Sequence, residues 1–331
     1  MKNLLSAAAP SGELTLGNYL GALKNWAELQ TQYRCFFPVV NQHVVTVRQE
    51  PAQLRERTLD FFAQYIACGI DPQQSTLFIQ SHVSAHAELC WLLNCYTYYG
   101  ELKRMTQFKA KSDINSENIN VGLFDYPVLM IADIVLYDAD IVPVGADQKQ
   151  HMEIAKVVAN RFNQIYGDVF VVPDYYIPKI GARIMSLQEP TKKMSKSDEN
   201  KNNTISIVEE NDAIVKKIKK AVTDNVGTIR YDIDNRPGIS NLIDIMSACT
   251  SDTIEVIEDK YVNSGYGAFK KDVADAVVAT ITPIREKYKA LRSDEEYLLN
   301  LAGAGAQKAA TIANATLQRA YDAVGFIGKR F

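Results

Sequence analysis

The chain has 331 residues, of which 47% are apolar and 23% charged, with 17 Gly and 11 Pro. These are globular values that exclude a collagenous or low-complexity chain, and the length fits two domains or one large domain carrying an insertion. The formal charge of −3 gives no global basic field for gripping nucleic acid, although a local patch is still allowed.

No run approaches the roughly 18 to 20 apolar residues that a membrane span needs, and the N-terminus lacks a signal peptide's charged, apolar and cleavage regions. The expectation is a cytoplasmic protein with no membrane contact. The five cysteines, Cys35, Cys68, Cys90, Cys95 and Cys249, are odd in number and include no C-x-x-C pair, which fits a reducing compartment. Cys90 and Cys95 are the only close pair. With nothing beside them to complete a metal site, they are expected in the core.

Roughly the first 190 residues read as alternating strands and helices. Cys35-Phe36-Phe37-Pro38-Val39-Val40 is an apolar run of strand length. A helix follows over 51–69, with Pro51 as a good first-turn residue and Gly69 as a stop. Thr76-Leu77-Phe78-Ile79 is a second strand behind the turn signal Asp71-Pro72. Ile141-Val142-Pro143-Val144 and Val169-Phe170-Val171-Val172 are two more. Strands separated by helices argue for βαβ units and a parallel sheet, whose ligands sit beyond the strand ends at a switch point. A Lys- and Asn-rich stretch over 191–204 reads as a mobile loop. Helical patterns follow over 213–222, 239–249 and 268–291, and the Ala-rich tail over 302–324 reads as a docking helix. The fold class is therefore α/β, followed by a helical second part.

Two segments carry chemistry. In Pro10-Ser11-Gly12-Glu13-Leu14-Thr15-Leu16-Gly17-Asn18 a loop becomes a helix, and Gly among small polar residues lets phosphate approach backbone N–H groups. Alone it is weak, since many strand-to-helix turns carry Gly and Ser. Lys192-Lys193-Met194-Ser195-Lys196-Ser197 is more specific. Three lysines so close together on a polar loop can close over a polyphosphate and neutralise developing charge, the alternative being a solvated basic loop.

The two segments together, in this order, resemble the signatures of class I aminoacyl-tRNA synthetases. Thr15-Leu16-Gly17-Asn18 stands at the position of the HIGH motif, and Lys193-Met194-Ser195-Lys196-Ser197 is a KMSKS loop. Gly17-Asn18-Tyr19-Leu20-Gly21-Ala22-Leu23, Gln42-His43, Arg104-Met105-Thr106-Gln107-Phe108-Lys109, Pro143-Val144-Gly145-Ala146-Asp147-Gln148-Lys149-Gln150-His151 and Ala182-Arg183-Ile184-Met185-Ser186-Leu187 narrow the resemblance to the bacterial tryptophanyl branch. Gly227-Thr228-Ile229-Arg230-Tyr231-Asp232 and Pro237-Gly238-Ile239-Ser240-Asn241-Leu242 extend it collinearly over essentially the whole chain.

The residues themselves support the amino-acid specificity at one place. Asp133 lies in the apolar stretch Val128-Leu129-Met130-Ile131-Ala132-Asp133-Ile134-Val135-Leu136, where an unpaired carboxylate would be costly. At helical spacing Tyr126, Met130 and Asp133 share one face, an apolar slot ending in an acceptor. An indole needs that combination, because its N–H is its sole conventional hydrogen-bonding group. The alternative is a carboxylate satisfied by a backbone donor or an Arg.

The resemblance implies a Rossmann-type catalytic domain over 1–187 with a returning C-terminal helix within 294–331. A helical tRNA-contacting domain over 188–293 begins with the KMSKS loop. It implies L-tryptophan, ATP with Mg2+ and tRNA(Trp) as substrates and a homodimer; the family's iron–sulfur variants are disfavoured because no cysteine cluster lies near the C-terminus, and zinc is not expected because no C-x-x-C pair exists. Leu5, Val40, His43, Tyr126, Met130, Asp133, Val142 and Val144 would bind the amino acid, with Gln148 near its ammonium. Pro10, Ser11, Gly17, Asn18, Met194, Ser195 and Ser197 would face ATP. Gly145 and Asp147 would meet the ribose, Ile184 and Met185 the adenine. Lys111, Lys193, Lys196, Thr15 and Asn18 would serve catalysis. The implied chemistry is attack of the tryptophan carboxylate on the α-phosphate of Mg-ATP, then acyl transfer to the terminal ribose of tRNA, driven by positioning and cations. For tRNA, Lys103 and Arg104 with Lys216, Lys217, Lys219 and Lys220 offer local basic patches. The second cluster could equally be the wet face of a helix. His82 and His86, spaced i, i+4 without a third ligand, read as structural or surface residues. No G-x-G-x-x-G follows an expected strand, which disfavours a nicotinamide oxidoreductase.

The chain departs from the family's usual opening, Ser-Gly-x-Gln-Pro-Ser-Gly: Ala7 replaces Gly and Ala9 replaces Gln. Asn41 stands where Asp usually precedes Gln-His, and Ala146 where an acidic residue is common. Two outcomes are open: an active enzyme with a remodelled pocket, or a paralogue that binds tryptophan and ATP without efficient tRNA charging.

Overall fold

The computed structural model describes residues 1–107, 119–176, 183–196 and 198–328. Lys111, Ser197 and Ala182 lie outside the described residues. Five parallel strands, β1 (Asn3–Leu5), β2 (Arg34–Val39), β3 (Thr76–Ile79), β4 (Ile141–Pro143) and β5 (Asp174–Tyr176), form one sheet in the order β3-β2-β1-β4-β5. The chain winds outward from β1 through β2 to β3, then returns to the other side of β1 for β4 and β5. The switch point therefore falls between β1 and β4, the crevice where open α/β sheets bind ligands. This is the α/β, Rossmann-like architecture expected from the alternating pattern.

Among the described residues, the helices of ten or more residues are α1 (Pro51–Ala67), α2 (Ala85–Asn94), α3 (Val121–Val135), α4 (Lys149–Tyr166), α5 (Asn211–Lys220), α6 (Pro237–Thr250), α7 (Tyr266–Arg292) and α8 (Glu295–Val324). Local chemistry sets several ends. The Glu50 carboxylate accepts the Gln53 N–H ahead of Pro51, and the Asn120 side chain accepts the Leu123 N–H. The last helix starts with Asp294 accepting the Tyr297 N–H and stops at Gly325, whose φ of 83° suits glycine.

Three apolar clusters fill the molecule. One joins the sheet to α3, α4 and the Ala-rich face of α8 through Phe36, Phe78, Ile131, Phe162, Ala309 and Ala313. The second covers the opposite sheet face, with Trp26 stacked on Phe37 at 5.3 Å. The third unites Ile214, Leu242, Ile243, Phe269 and Val277 of α5 to α7, and reaches Leu16, Leu20, Ile184 and Met194. The small residues of α8 let it lie directly on β3. A Cβ added at Gly305 would overlap the Leu77 carbonyl oxygen.

Two expectations need correcting. Residues 169–172 are not a strand; β5 comes later, at Asp174–Tyr176. Asn163 takes backbone groups at the start of that apolar run, its Oδ1 accepting from Val169 and Phe170 N–H and its Nδ2 donating to the Phe170 carbonyl. Strand β1 carried no separate signal in its three residues. Cys95 is exposed and Cys90 half-buried, so that pair is not core.

Candidate active site

Strands β1 to β4 deliver residues to the same edge. Beyond β1 the chain runs through Ala7 to Asn18, beyond β2 through Val40 to His43, beyond β3 to Gln80, and beyond β4 through Val144 to Gln148. The apolar ends Leu5, Val40, Val142 and Val144 are all buried.

Asp133, 3% exposed, is the centre of a four-residue network. Its Oδ2 accepts from His43 Nε2 at 2.8 Å. Its Oδ1 accepts from Gln80 Nε2 and from His86 Nδ1, each at 2.6 Å. Burial alone would raise its pKa, but His43 and then His86 outweigh that and hold the carboxyl well below the usual carboxylate range. The carboxylate is thus satisfied by two imidazoles and an amide, rather than by the backbone donor or Arg weighed above. Tyr126 and Met130 stand on the same face of α3, with the Tyr126 ring edge-on to His43 at 6.3 Å. The Tyr126 hydroxyl lies 3.0 Å from His151 Nε2, and burial pushes its pKa up to about 12.

Of the two histidines expected to be structural or at the surface, His82 is exposed and His86 is fully buried on Asp133, with its Nε2 at 2.8 Å from the Tyr137 hydroxyl. Gln80, His86 and Tyr137 are the partners in the Asp133 network that reading the sequence missed. A polar residue ending the β3 run was a usable signal for Gln80. Nothing in the local pattern marked Tyr137.

The N-terminal segment meets the lysine loop. Lys196 Nζ donates to the Ala9 carbonyl at 2.6 Å and sits 5.3 Å from the centre of the Phe61 ring, a cation–π contact. Burial lowers its pKa to about 8. A Cβ at Gly12 would run into the Lys196 carbonyl oxygen, so glycine there permits the loop to close. Met194 N–H donates to the Ile184 carbonyl at 3.0 Å and Ser186 N–H to the Lys192 carbonyl at 2.8 Å, which ties the lysine loop to the Ile184–Met185 segment. Both Met185 backbone groups are held by the Asn241 side chain of α6.

Thr15 and Asn18 bond each other. The Asn18 N–H donates to Thr15 Oγ1 at 3.3 Å, and Asn18 Oδ1 accepts from the Thr15 N–H at 3.0 Å. Pro10 is buried and Ser11 exposed at the mouth of this turn. Gly145 lets the Asp147 carboxylate fold back, since a Cβ there would sit 2.7 Å from Asp147 Oδ1. Asp147 Oδ2 accepts from Gln148 Nε2 at 2.7 Å. Lys193 is exposed and Met194 buried. The replacements are accommodated without strain: Ala7 is not among the non-glycine residues at positive φ. Asn41 donates to Ser81 Oγ at 2.8 Å and accepts the Ser81 N–H at 3.0 Å, tying the ends of β2 and β3.

Of the basic residues, Lys103, Arg104, Lys216, Lys219 and Lys220 are exposed. Lys217 is turned inward, paired with Glu209 at 2.5 Å and with the Thr204 carbonyl at 2.9 Å. Among the described residues, no group of three or more His, Cys, Asp or Glu could hold a metal ion.

A parallel sheet with a lysine loop and a helix-starting Thr-Leu-Gly-Asn turn at its carboxyl edge is the arrangement of a nucleotide-binding α/β fold. Residues 2–282 match the family of class I tRNA synthetases for W and Y, and the chain belongs to that family. Its relatives point to one branch. It is 54% identical over 326 residues to a tryptophan–tRNA ligase of Clostridium tetani, covering 98% of this chain and 96% of the relative. The tryptophanyl-tRNA synthetase of Mycoplasma pneumoniae superposes with a TM-score of 0.90 at 35% identity, covering 99% of this chain and 98% of that one. The Campylobacter jejuni enzyme complexed with ADP and tryptophan gives a TM-score of 0.85 at 33% identity, covering 98% and 100%. No helix among the described residues is long and apolar enough to cross a membrane.

Proposed function

We infer that the chain is a tryptophan–tRNA ligase, acting in the cytoplasm on L-tryptophan, ATP and tRNA(Trp). The observation that carries this reading is the ionised, buried Asp133 at the end of the apolar face of Tyr126 and Met130, at the switch-point edge of the sheet. The tryptophan side chain lies along Leu5, Val40, Met130, Val142 and Val144 and gives its N–H to Asp133. Gln148 faces the ammonium.

A carboxylate oxygen of tryptophan attacks the α-phosphorus of ATP, and the bond to the β-phosphate bridging oxygen breaks, giving tryptophanyl adenylate and pyrophosphate. A terminal ribose hydroxyl of tRNA then attacks the acyl carbon, and AMP leaves. No side chain acts as nucleophile. Lys193, Lys196 and Lys111 place positive charge on the triphosphate, Thr15 and Asn18 open from each other toward phosphate, and magnesium enters as part of the ATP substrate. Pro10, Ser11, Gly17, Met194, Ser195 and Ser197 frame the triphosphate, Gly145 and Asp147 the ribose. The Ile184–Met185 segment meets adenine.

Residues 1–187 with the returning helix within 294–331 form the catalytic domain, and 188–293 the tRNA-contacting domain. The apolar cluster centred on α5 to α7, which meets the catalytic part through Leu16, Leu20 and Ile184, supports this division. The active unit is a homodimer. Exposed Trp91, Tyr99 and Val121 around a groove of about 370 Å3 support an apolar interface there.

ATP–pyrophosphate exchange with each of the twenty amino acids, without tRNA, tests the reading. Exchange with tryptophan alone is expected. Absence of exchange in folded protein would assign the chain instead to a paralogue that binds tryptophan and ATP without charging tRNA, a reading that rests on Ala7, Ala9 and Asn41.

A further inference from the structure

We propose that His86 and Tyr137 are positioning residues for tryptophan recognition, fixing the Asp133 carboxylate so that Oδ2 alone remains open to the indole N–H. This rests on the reading that Asp133 accepts that N–H.

The ionised carboxylate has about four acceptor positions. Among the described residues Oδ1 receives two donors, Gln80 and His86, whereas Oδ2 receives only His43. The free acceptor position is therefore on Oδ2, on the side of His43 and Tyr126. Gln80 cannot turn its amide over, because its Oε1 accepts the Gln42 backbone N–H at 3.0 Å. His86 is fixed by similar logic. An ionised carboxylate only accepts, so Nδ1 carries the proton. The other ring nitrogen, Nε2, is engaged by the Tyr137 hydroxyl at 2.8 Å, so the imidazole is held at both ends. The Tyr137 ring is itself anchored, stacked on Phe36 at 4.8 Å and lying 5.4 Å from Phe78.

A Tyr–His–carboxylate chain with every partner buried holds the imidazole and the carboxylate in one orientation. Its product is an acceptor that is already oriented, so binding tryptophan does not have to order it. A ligand without the N–H leaves that acceptor unpaired, and the loss is greatest when the carboxylate cannot turn to another donor.

The test compares tryptophan with its benzothiophene analogue, in which sulfur replaces N–H, by calorimetric Kd on the full chain. The wild type should prefer tryptophan by about tenfold or more. Tyr137→Phe keeps the ring and removes the hydroxyl. It should shrink that preference about 3- to 10-fold through weaker tryptophan binding, with analogue affinity changed less than about twofold. His86→Gln should shrink it in the same selective way, and thermal melting establishes that each variant is folded. Equal loss for both ligands, or an intact preference in Tyr137→Phe, would overturn the positioning role while leaving the indole bond standing. A wild type with no preference would instead sink the indole bond itself.

Discussion

Lys196 and Ala9 are joined by a 2.6 Å hydrogen bond, 187 positions apart in the chain. The lysine loop is thereby closed on the N-terminal turn with a mostly buried ammonium. Lys196→Ala is expected to slow adenylate formation about 100- to 1,000-fold, the scale of losing one well-placed electrostatic group. Tryptophan affinity should hardly move. Single-turnover adenylate formation measures the first and equilibrium dialysis the second, and an unchanged rate would remove Lys196 from the mechanism.

The same contact has a pH consequence. Burial lowers Lys196 from 10.5 to about 8, so the closed loop binds fewer protons than an open one between those values. Closure therefore strengthens as pH rises through that window. A triphosphate beside the amine would restore the proton. ATP binding should take up a proton above about pH 8 and weaken as pH rises through it. Calorimetry at about pH 8.5 in two buffers of different ionisation enthalpy reads the uptake, which Lys196→Met should abolish.

Ala9→Gln supplies the polar side chain usual at this position in the family. One hydrogen bond to a charged group is worth roughly 1.5–3 kcal/mol, or about 10- to 150-fold. Pyrophosphate exchange should rise toward the lower end of that range. No gain would mean that Lys196, which already occupies the Ala9 carbonyl, has been accommodated without the missing amide.

Asp133→Ala should weaken tryptophan binding about 10- to 150-fold by the same scale, with ATP affinity nearly unaffected. Equal loss of both ligands would sink the indole assignment. It should also destabilise the fold, since His43, Gln80 and His86 lose a shared acceptor, by about 1–3 kcal/mol for each buried donor left unpaired. Because the native carboxyl is held below its unfolded value, its contribution is present above about pH 4 and fades as pH falls further. Denaturation in acid should therefore differ less between the two proteins than at neutral pH.

How much of this was legible follows from the range of each interaction. The face shared by Tyr126, Met130 and Asp133 needs only helical spacing, and β3 and β4 stand out as short apolar runs. The partners of Asp133 do not, because they lie 47, 53 and 90 positions away, and no local pattern distinguishes His86 from an ordinary core histidine. The misplaced last strand has a similar cause. Val169 to Val172 has strand composition, yet the Asn163 side chain takes the Val169 and Phe170 N–H groups and the Phe170 carbonyl. The docking of α8 was visible as an Ala-rich stripe, but its closest approach rests on one glycine among several.

That glycine separates packing from propensity. At Gly305 a methyl group would overlap the Leu77 carbonyl, whereas at Gly303, two positions earlier, nothing lies within 4 Å. Gly305→Ala should cost about 1–3 kcal/mol or more through overpacking against backbone that cannot yield. Gly303→Ala should gain about 0.5–1 kcal/mol from helix propensity. Urea denaturation of the two variants gives both signs, and similar effects would show that α8 does not rest on β3 as closely as described.

The basic residues of α5 divide in the same way. Lys217 is paired with Glu209 and the Thr204 carbonyl, while Lys216, Lys219 and Lys220 face outward. If the outward lysines meet tRNA phosphates, each removal lowers affinity for any tRNA and reduces the salt dependence of binding by about one unit of slope. Lys219→Ala with Lys220→Ala should therefore flatten a plot of log Kd against log salt by about two units, leaving tRNA-free exchange unchanged. Lys217→Ala should leave the slope alone and lower stability, because it strands the half-buried Glu209 carboxylate without its partner. A slope unchanged in the double variant would make α5 a solvated face, and the tRNA contact would then have to come from Lys103 and Arg104.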